Sequence, residues 1–411
     1  MNNKLNVLLI SISFPPKADP ECLQTAKYFK YLASDESVNI DVVTSSDKTL
    51  FMPIDHNLES YTQGYRQIIK IPFFENKYIN FLMRKLSPNI LNYPDSKFRF
   101  YKKWKYVLKH LHRSPDIIYS RSYPISSTLM AYHLQKELNI PWVLHLSDPW
   151  TINPLHKLGK AQKWNEQIEN ECFKSASYIS FSSFKTIDLY KKKYPEFADK
   201  FKFFPNVYDL KDKNTIPYSF KKKLKIVYTG GLVGSRTPLP LFKAVKAISH
   251  NRPEILNDFE IIIAGSLDRQ NRKYFLNSTR PIKHIGLLSF KQALELQQSA
   301  DLLVVIDSAF KNPEDSQFFP SKLLDYILAK RKIIAITDKN SMTWEVVKNK
   351  FGKCYEHKDD AGLTKYLIEA WISWRNKDES FFVQSSSGEE YSAQTNANKL
   401  IKLFRGICFE T

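Results

Sequence analysis

The sequence predicts an α/β chain of two doubly wound domains, and three observations carry that prediction. Its 411 residues exceed what one hydrophobic core usually organises and suit two domains of about 200 residues each. Apolar runs of strand length alternate with segments of helical periodicity: Leu5 to Ile12, then Gln24 to Ala33, then Val38 to Thr44 form a strand–helix–strand opening. A second domain opens at the apolar run Leu224 to Tyr228, which leads into the glycine turn Thr229-Gly230-Gly231-Leu232-Val233-Gly234-Ser235-Arg236.

Composition bounds the function. The formal net charge of +19 implies an acidic partner: nucleic acid, an anionic membrane surface or phosphorylated small molecules. Aromatic residues make up 14% of the chain, which fits a globular protein and not a disordered one. Cys22, Cys172, Cys354 and Cys408 have no paired spacing, which argues against a zinc site or a disulfide framework and fits a reducing cytosol. The start, MNNKLNVLLISISFPP, has a short apolar run broken by Pro15-Pro16, so a first strand is expected there and not a signal peptide. No apolar run approaches the roughly 20 residues needed to span a bilayer.

The first strand ends in the loop from Phe14 through Pro16 to Cys22, at the strand end where open parallel sheets place ligands. No Gly-x-Gly-x-x-Gly stands there, which argues against a dinucleotide site. Further on, Ser96 to Arg113 interleaves Tyr101, Trp104, Leu108 and Leu111 with basic residues and contains no acid. Two readings stand side by side: a basic amphipathic helix lying on an anionic membrane, or a helix packing its stripe on the sheet with a solvated basic face. No nucleic-acid motif accompanies it, and nucleic acid is not expected as a partner.

Strand-like Asp116 to Ser120, helix-like Ser126 to Leu138 and strand-like Trp142 to Leu146 follow. His145-Leu146-Ser147-Asp148-Pro149-Trp150 then places Asp148 at a strand's carboxyl end, where open parallel sheets place ligands; a capped turn with an aromatic plug is the alternative. A helix over Glu166 to Ala176 and a strand over Tyr178 to Ser182 complete the first half, and lysine-rich 210–223 is expected as a linker.

In the second half, Gly230 and Gly231 let backbone amides approach a phosphate, and Arg236 adds a charge-assisted contact to it. The strand Phe259 to Ala264 ends in Gly265-Ser266. In FFPSKLLDYILAKRKIIAIT, Leu323, Leu324, Ile327 and Leu328 share a helical face, and Pro320 with Ser321 marks a helix start that can hold an anion. Lys322 in the first turn opposes the helix dipole, and a bound phosphate would account for it. No Asp-x-Asp metal motif is present, and no metal or cofactor is expected.

FPSKLLDYILAKRKIIAI resembles the donor-binding segment of GT-B glycosyltransferases, particularly retaining family 4. PWVLHLSDPWT, KFFPNVYD, HIGLLSFKQALELQQSADLLVVID and the terminal YSAQTNANKLIKLF are similar to other segments of that family. The resemblance implies two facing Rossmann-like domains, 1–207 for the acceptor and 208–385 for the nucleotide-sugar, with a helix over 386–411 returning to the first. It implies catalysis by Asp148, Arg236 and Lys322; donor binding by Gly230, Gly231, Arg236, Gly265, Ile285, Gly286, Pro320, Ser321, Lys322 and Asp325; and an acceptor side of Pro16, His145, Asp148 and Trp150. Ile285 and Gly286 would neighbour the base and Asp325 the ribose. Gln317 stands where many members carry Glu, Gly231 where they carry Arg, and His145 and Ser147 where a subgroup carries Asp and Arg.

The expected activity is retaining, metal-independent transfer from a nucleotide-sugar to an acceptor hydroxyl, on a lipid-linked glycan in cell-surface polysaccharide synthesis. The expected place is the cytoplasm, peripheral on the inner membrane face. A nucleotide-sugar epimerase of the same fold, and a catalytically lapsed scaffold suggested by Gln317, Gly231 and His145, are the alternatives.

Overall fold

The computed structural model describes residues 4–46, 52–73, 75–87, 89–209, 217–276, 281–348 and 350–409. The chain divides into two compact units, Met1–Asp209 together with Glu390–Thr411, and Leu210–Glu389. Half of the predicted linker, 210–216, lies outside the described residues.

The first unit is built on a parallel sheet of seven strands: β1 (Leu5–Ile10), β2 (Val38–Ser45), β3 (Gln67–Ile71), β4 (Ile117–Ser122), β5 (Trp142–Leu146), β6 (Tyr178–Phe181) and β7 (Phe201–Phe203). Their order is β3-β2-β1-β4-β5-β6-β7, which reverses between β1 and β4 and so opens a ligand-binding position at their carboxyl ends. Along β1 the side chains alternate between two cores. Leu5, Val7 and Leu9 pack with Tyr28 and Phe29 of helix Pro20–Ala33 and with Leu400 and Phe404 of the final helix Ala393–Phe409. Leu8 and Ile10 face the opposite way, toward Leu129 and Leu134 of helix Ser126–Leu138 and Phe173 of helix Gln162–Ser175. Both faces are therefore covered, as parallel sheets require.

The second unit repeats the plan with six parallel strands, β8 (Leu224–Thr229), β9 (Phe259–Ala264), β10 (Ile282–His284), β11 (Leu302–Ile306), β12 (Lys332–Ile336) and β13 (Gly352–Tyr355). The order β10-β9-β8-β11-β12-β13 reverses between β8 and β11, so the glycine turn after β8 sits at the switch point. Two parallel-sheet α/β domains are thus the architecture, as the alternation of apolar runs and helical segments predicts.

One local expectation changes. Ser96–Arg113 is not one amphipathic helix: a 3-10 turn, Tyr101–Lys103, precedes a short helix, Trp104–His110. Its Tyr101, Trp104, Leu108 and Leu111 pack against the first core and Val107 is fully buried, so the stripe is spent on the sheet and only a basic face meets solvent. The stretch before it holds β3 and a helix, Lys77–Leu86, that turns large apolar side chains outward. Among the described residues no helix is long and apolar enough to cross a membrane.

Candidate functional site

The turn after β8 is tight because two backbones meet there. Gly230 has φ +130° and Gly265 φ +141°, and a Cβ on Gly265 would lie 2.0 Å from the Gly230 carbonyl oxygen, so only glycine fits at that contact. Gly230 N–H donates to Ala264 O at 2.8 Å and Leu232 N–H to Ser266 O at 2.9 Å. Asp268 accepts from Gly234 N–H at 2.7 Å, and Asn271 donates to Arg236 O at 3.3 Å. The loop carrying Arg236 is therefore fixed to the end of β9.

Lys322 enters this turn from helix Lys322–Leu328. Its Nζ donates to the Tyr228 hydroxyl at 2.9 Å, and Tyr228 in turn donates to Gly231 O at 2.9 Å. The helix is held in place by Tyr326, whose buried hydroxyl accepts from Thr229 N–H at 2.9 Å, and by Arg331, whose guanidinium donates to the carbonyls of Gln298, Ala300 and Ala329. Burial first, and the charge of Arg236 second, lower the Lys322 ammonium from 10.5 to about 7, with Asp307 acting the other way. The Nε of Arg236 is buried without a hydrogen-bond partner. Two cations are thus gathered at a glycine-lined turn where Lys322 is bonded to a phenol and not to a carboxylate. That arrangement leaves positive charge uncompensated, a cost that a bound anion removes.

The expected Ser321 cap is not formed. Ser321 has helical dihedrals (φ −59°, ψ −32°), so its hydroxyl does not reach the first turn, and Pro320 and Ser321 contribute their carbonyls to Leu323 and Leu324 N–H instead. The positive end of the site is made by side chains. Gly286 has φ +79°, open space where a Cβ would be, and a carbonyl that accepts from Gly265 N–H at 2.7 Å, so Ile285-Gly286 adjoins the same turn. Ile285 is exposed, Asp325 is half-buried on the helix, and Gln317 is buried. The structure brings Gly230, Gly231, Arg236, Gly265, Gly286 and Lys322 together. Tyr228 and Tyr326, which align the lysine and its helix, were not singled out in the sequence, and only their places at a strand end and on the buried helical face hint at them.

In the first unit, Asp148 follows β5 and is half-buried; desolvation first, and the charge of Glu21 second, raise its carboxyl to about 6. Glu21, in the first turn of helix Pro20–Ala33, accepts from Arg121 Nε at 2.9 Å and from the Ser147 hydroxyl, and burial also raises it. Arg121 is fully buried, donates to Tyr119 OH at 3.0 Å, lies 4.9 Å from the Tyr28 ring centre and keeps one nitrogen unpartnered.

The other residues expected on an acceptor side are not surface groups. His145 is fully buried, with Nδ1 3.0 Å from Ser180 Oγ, and burial holds it well below the usual imidazole range, so it is a neutral core group. Trp150 is 1% exposed and donates from Nε1 to Asn165 Oδ1 at 2.8 Å, which makes it the plug beneath Asp148. Pro16 is buried, its carbonyl accepting from Asp55 N–H at 2.8 Å. These three position the loops and present no side chain to an acceptor. Among the described residues no group of three or more His, Cys, Asp or Glu gathers as a metal site would.

No protein-family model and no curated protein matches the sequence. Solved structures do match in fold. Sucrose-phosphate synthase from Thermosynechococcus elongatus shares 14% identity over 99% of this chain and 100% of its own, with a TM-score of 0.63. Anabaena HepE in complex with UDP and glucose shares 13% over 98% and 99%, with a TM-score of 0.59. A structure described as a UDP-N-acetylglucosamine 2-epimerase from Listeria monocytogenes shares 14% over 99% and 98%, with a TM-score of 0.61. At such identities the likeness shows the fold: the two parallel-sheet α/β domains of GT-B proteins.

Proposed function

We propose that this protein is a glycosyltransferase that moves a sugar from a nucleotide-sugar to an acceptor hydroxyl, with the donor on its second unit. The observation that carries this reading is the convergence of Lys322 and Arg236 on a turn where only glycine fits at the closest backbone contact. The difficult step is departure of a nucleoside diphosphate, and preorganised cations stabilise the charge that develops on its phosphates. Lys322, which takes up a proton from solvent as the incoming diphosphate raises its pKa, and Arg236 supply that charge. Gly230 and Gly231 give the phosphates room, Ile285-Gly286 flanks the base, and Asp325, with Pro320 and Ser321 beside it, falls to the ribose side. Asp148 orients the acceptor hydroxyl on the first unit, and the departing phosphate takes its proton.

The sequence resemblance to family 4 supports retention of configuration, and Arg236 and Lys322 in place of an ion support transfer without a divalent metal. The net charge of +19 supports an acceptor linked to lipid at an anionic membrane, such as a growing glycan of a cell-surface polysaccharide. The epimerase-like neighbour supports one rival: release of an altered sugar with no acceptor consumed. Product analysis separates the two.

The test is substitution at the cations. Lys322→Ala and Arg236→Ala should each remove about 2 to 4 kcal/mol of transition-state stabilisation while the circular dichroism spectrum is retained. Turnover within a factor of about three of the parent for both variants would overturn the phosphate assignment.

A further inference from the structure

Helix Lys77–Leu86 is amphipathic with its faces reversed. Asn80 points inward and donates to Glu75 Oε1 at 2.9 Å, and Glu75 is itself buried in an ion pair with Lys97. Tyr78, Phe81, Leu82 and Leu86, at the i, i+3, i+4, i+8 spacing of one helical face, point outward and are 81%, 69%, 55% and 78% exposed. An isolated exposed leucine needs no explanation, but four large apolar side chains on one face of a ten-residue helix form a patch that a protein exposed only to water would bury.

We propose that this helix is a membrane-docking element that lays its outward face into an anionic bilayer. Charge identifies the occupant. The helix contains no acid, its last turn carries exposed Arg84 and Lys85, and Ile79 lines a shallow hollow together with Arg99 and Lys103. Apolar anchors edged by cations suit a surface of acyl chains beneath anionic headgroups. A second copy of the chain fits less well, because a two-fold contact through this face would bring like charges together. Placement agrees: the helix follows β3, and Asp148 follows β5 of the same parallel sheet, so both lie at the sheet's carboxyl end. Docking there brings the bilayer to the end of the unit assigned to the acceptor. The cationic segment Ser96–Arg113 supplies long-range attraction, and insertion belongs to Lys77–Leu86.

This inference rests on the transferase reading only for what the bilayer holds, and its test uses neither donor nor acceptor, so either can fail alone. The test is flotation of the full chain with vesicles of phosphatidylcholine mixed with phosphatidylglycerol, or of phosphatidylcholine alone. The protein should float with the mixed vesicles, less so as salt rises. Phe81→Ser/Leu82→Ser/Leu86→Ser should lower the partition by about ten-fold or more with no loss of thermal stability, since these side chains are exposed. Arg84→Glu/Lys85→Glu should remove the preference for the anionic mixture, and Leu276→Ser, in an exposed apolar residue of the other unit, should change nothing. Absence of flotation at low salt, unchanged flotation of the triple variant, or conversion of a dimer to a monomer by that variant would overturn the proposal.

Discussion

The ammonium of Lys322 occupies the space that any side chain at residue 230 would need: a Cβ on Gly230 would lie 2.5 Å from Nζ. The lysine therefore enters the turn because the glycine is there, and the two residues, 92 positions apart in sequence, define one pocket of charge.

That charge should cost stability in the unliganded protein. The folded-state value of about 7 lies below the ordinary 10.5, so between these pH values the unfolded chain binds a proton that the folded chain does not. Stability should fall as pH drops from about 10.5 to about 7 and level off below. Lys322→Met should abolish this decline and raise unliganded stability by on the order of 2 kcal/mol at pH 7, while nucleotide binding is lost. Chemical denaturation at several pH values checks it; a destabilised Met variant would contradict it.

Asp148 should govern the acidic limb of the rate. A carboxyl raised to about 6 is protonated below that pH and then no longer accepts a hydrogen bond from an acceptor hydroxyl, so kcat/KM should rise through about pH 6 and plateau. Asp148→Asn should remove the limb and lower the rate by about 10²-fold. Because a raised carboxyl loses stability as pH climbs from 3.8 to about 6, the same variant should be no less stable than the parent at pH 7.

Gly265→Ala should fail through geometry. The new Cβ would meet the Gly230 carbonyl at 2.0 Å on a backbone at φ +141°, so the two turns must separate. Expected losses are about 2 to 4 kcal/mol of stability and at least the greater part of nucleotide binding. Gly234→Ala is the comparison, since no atom stands within 4 Å of its would-be Cβ and φ +61° is accessible to other residues at modest cost.

Much of this architecture is legible in the sequence because parallel strands buried on both faces leave continuous apolar runs, such as Leu302–Ile306 and residues 333–336. The glycine turn is legible because a glycine-poor chain spends three of its glycines there. Partnership across the fold is not. Nothing in the local sequence says that Tyr326 clamps Thr229, or that Arg121 and Glu21, 100 residues apart, are buried as a pair beneath Ser147. The two amphipathic stretches of the first unit teach the same lesson. Periodicity marks a face without saying where it points, so Ser96–Arg113 looks like the surface helix although its stripe is in the core, and Lys77–Leu86 carries the exposed one.

Without divalent metal, transfer should persist: excess chelator is expected to leave the rate within about two-fold, because in the proposed mechanism Lys322 and Arg236 supply the charge that an ion would otherwise supply. A complete loss restored by magnesium would point to a metal site elsewhere.

The donor-phosphate role of Lys322 is tested most directly by titration calorimetry of nucleoside diphosphates, UDP first, at pH 8 in buffers of different ionisation enthalpy. A diphosphate on Lys322 raises its pKa from about 7, so binding should take up close to one proton per site at pH 8 and none in Lys322→Met. Tight binding without proton uptake in the parent, or uptake unchanged in the Met variant, would contradict the assignment.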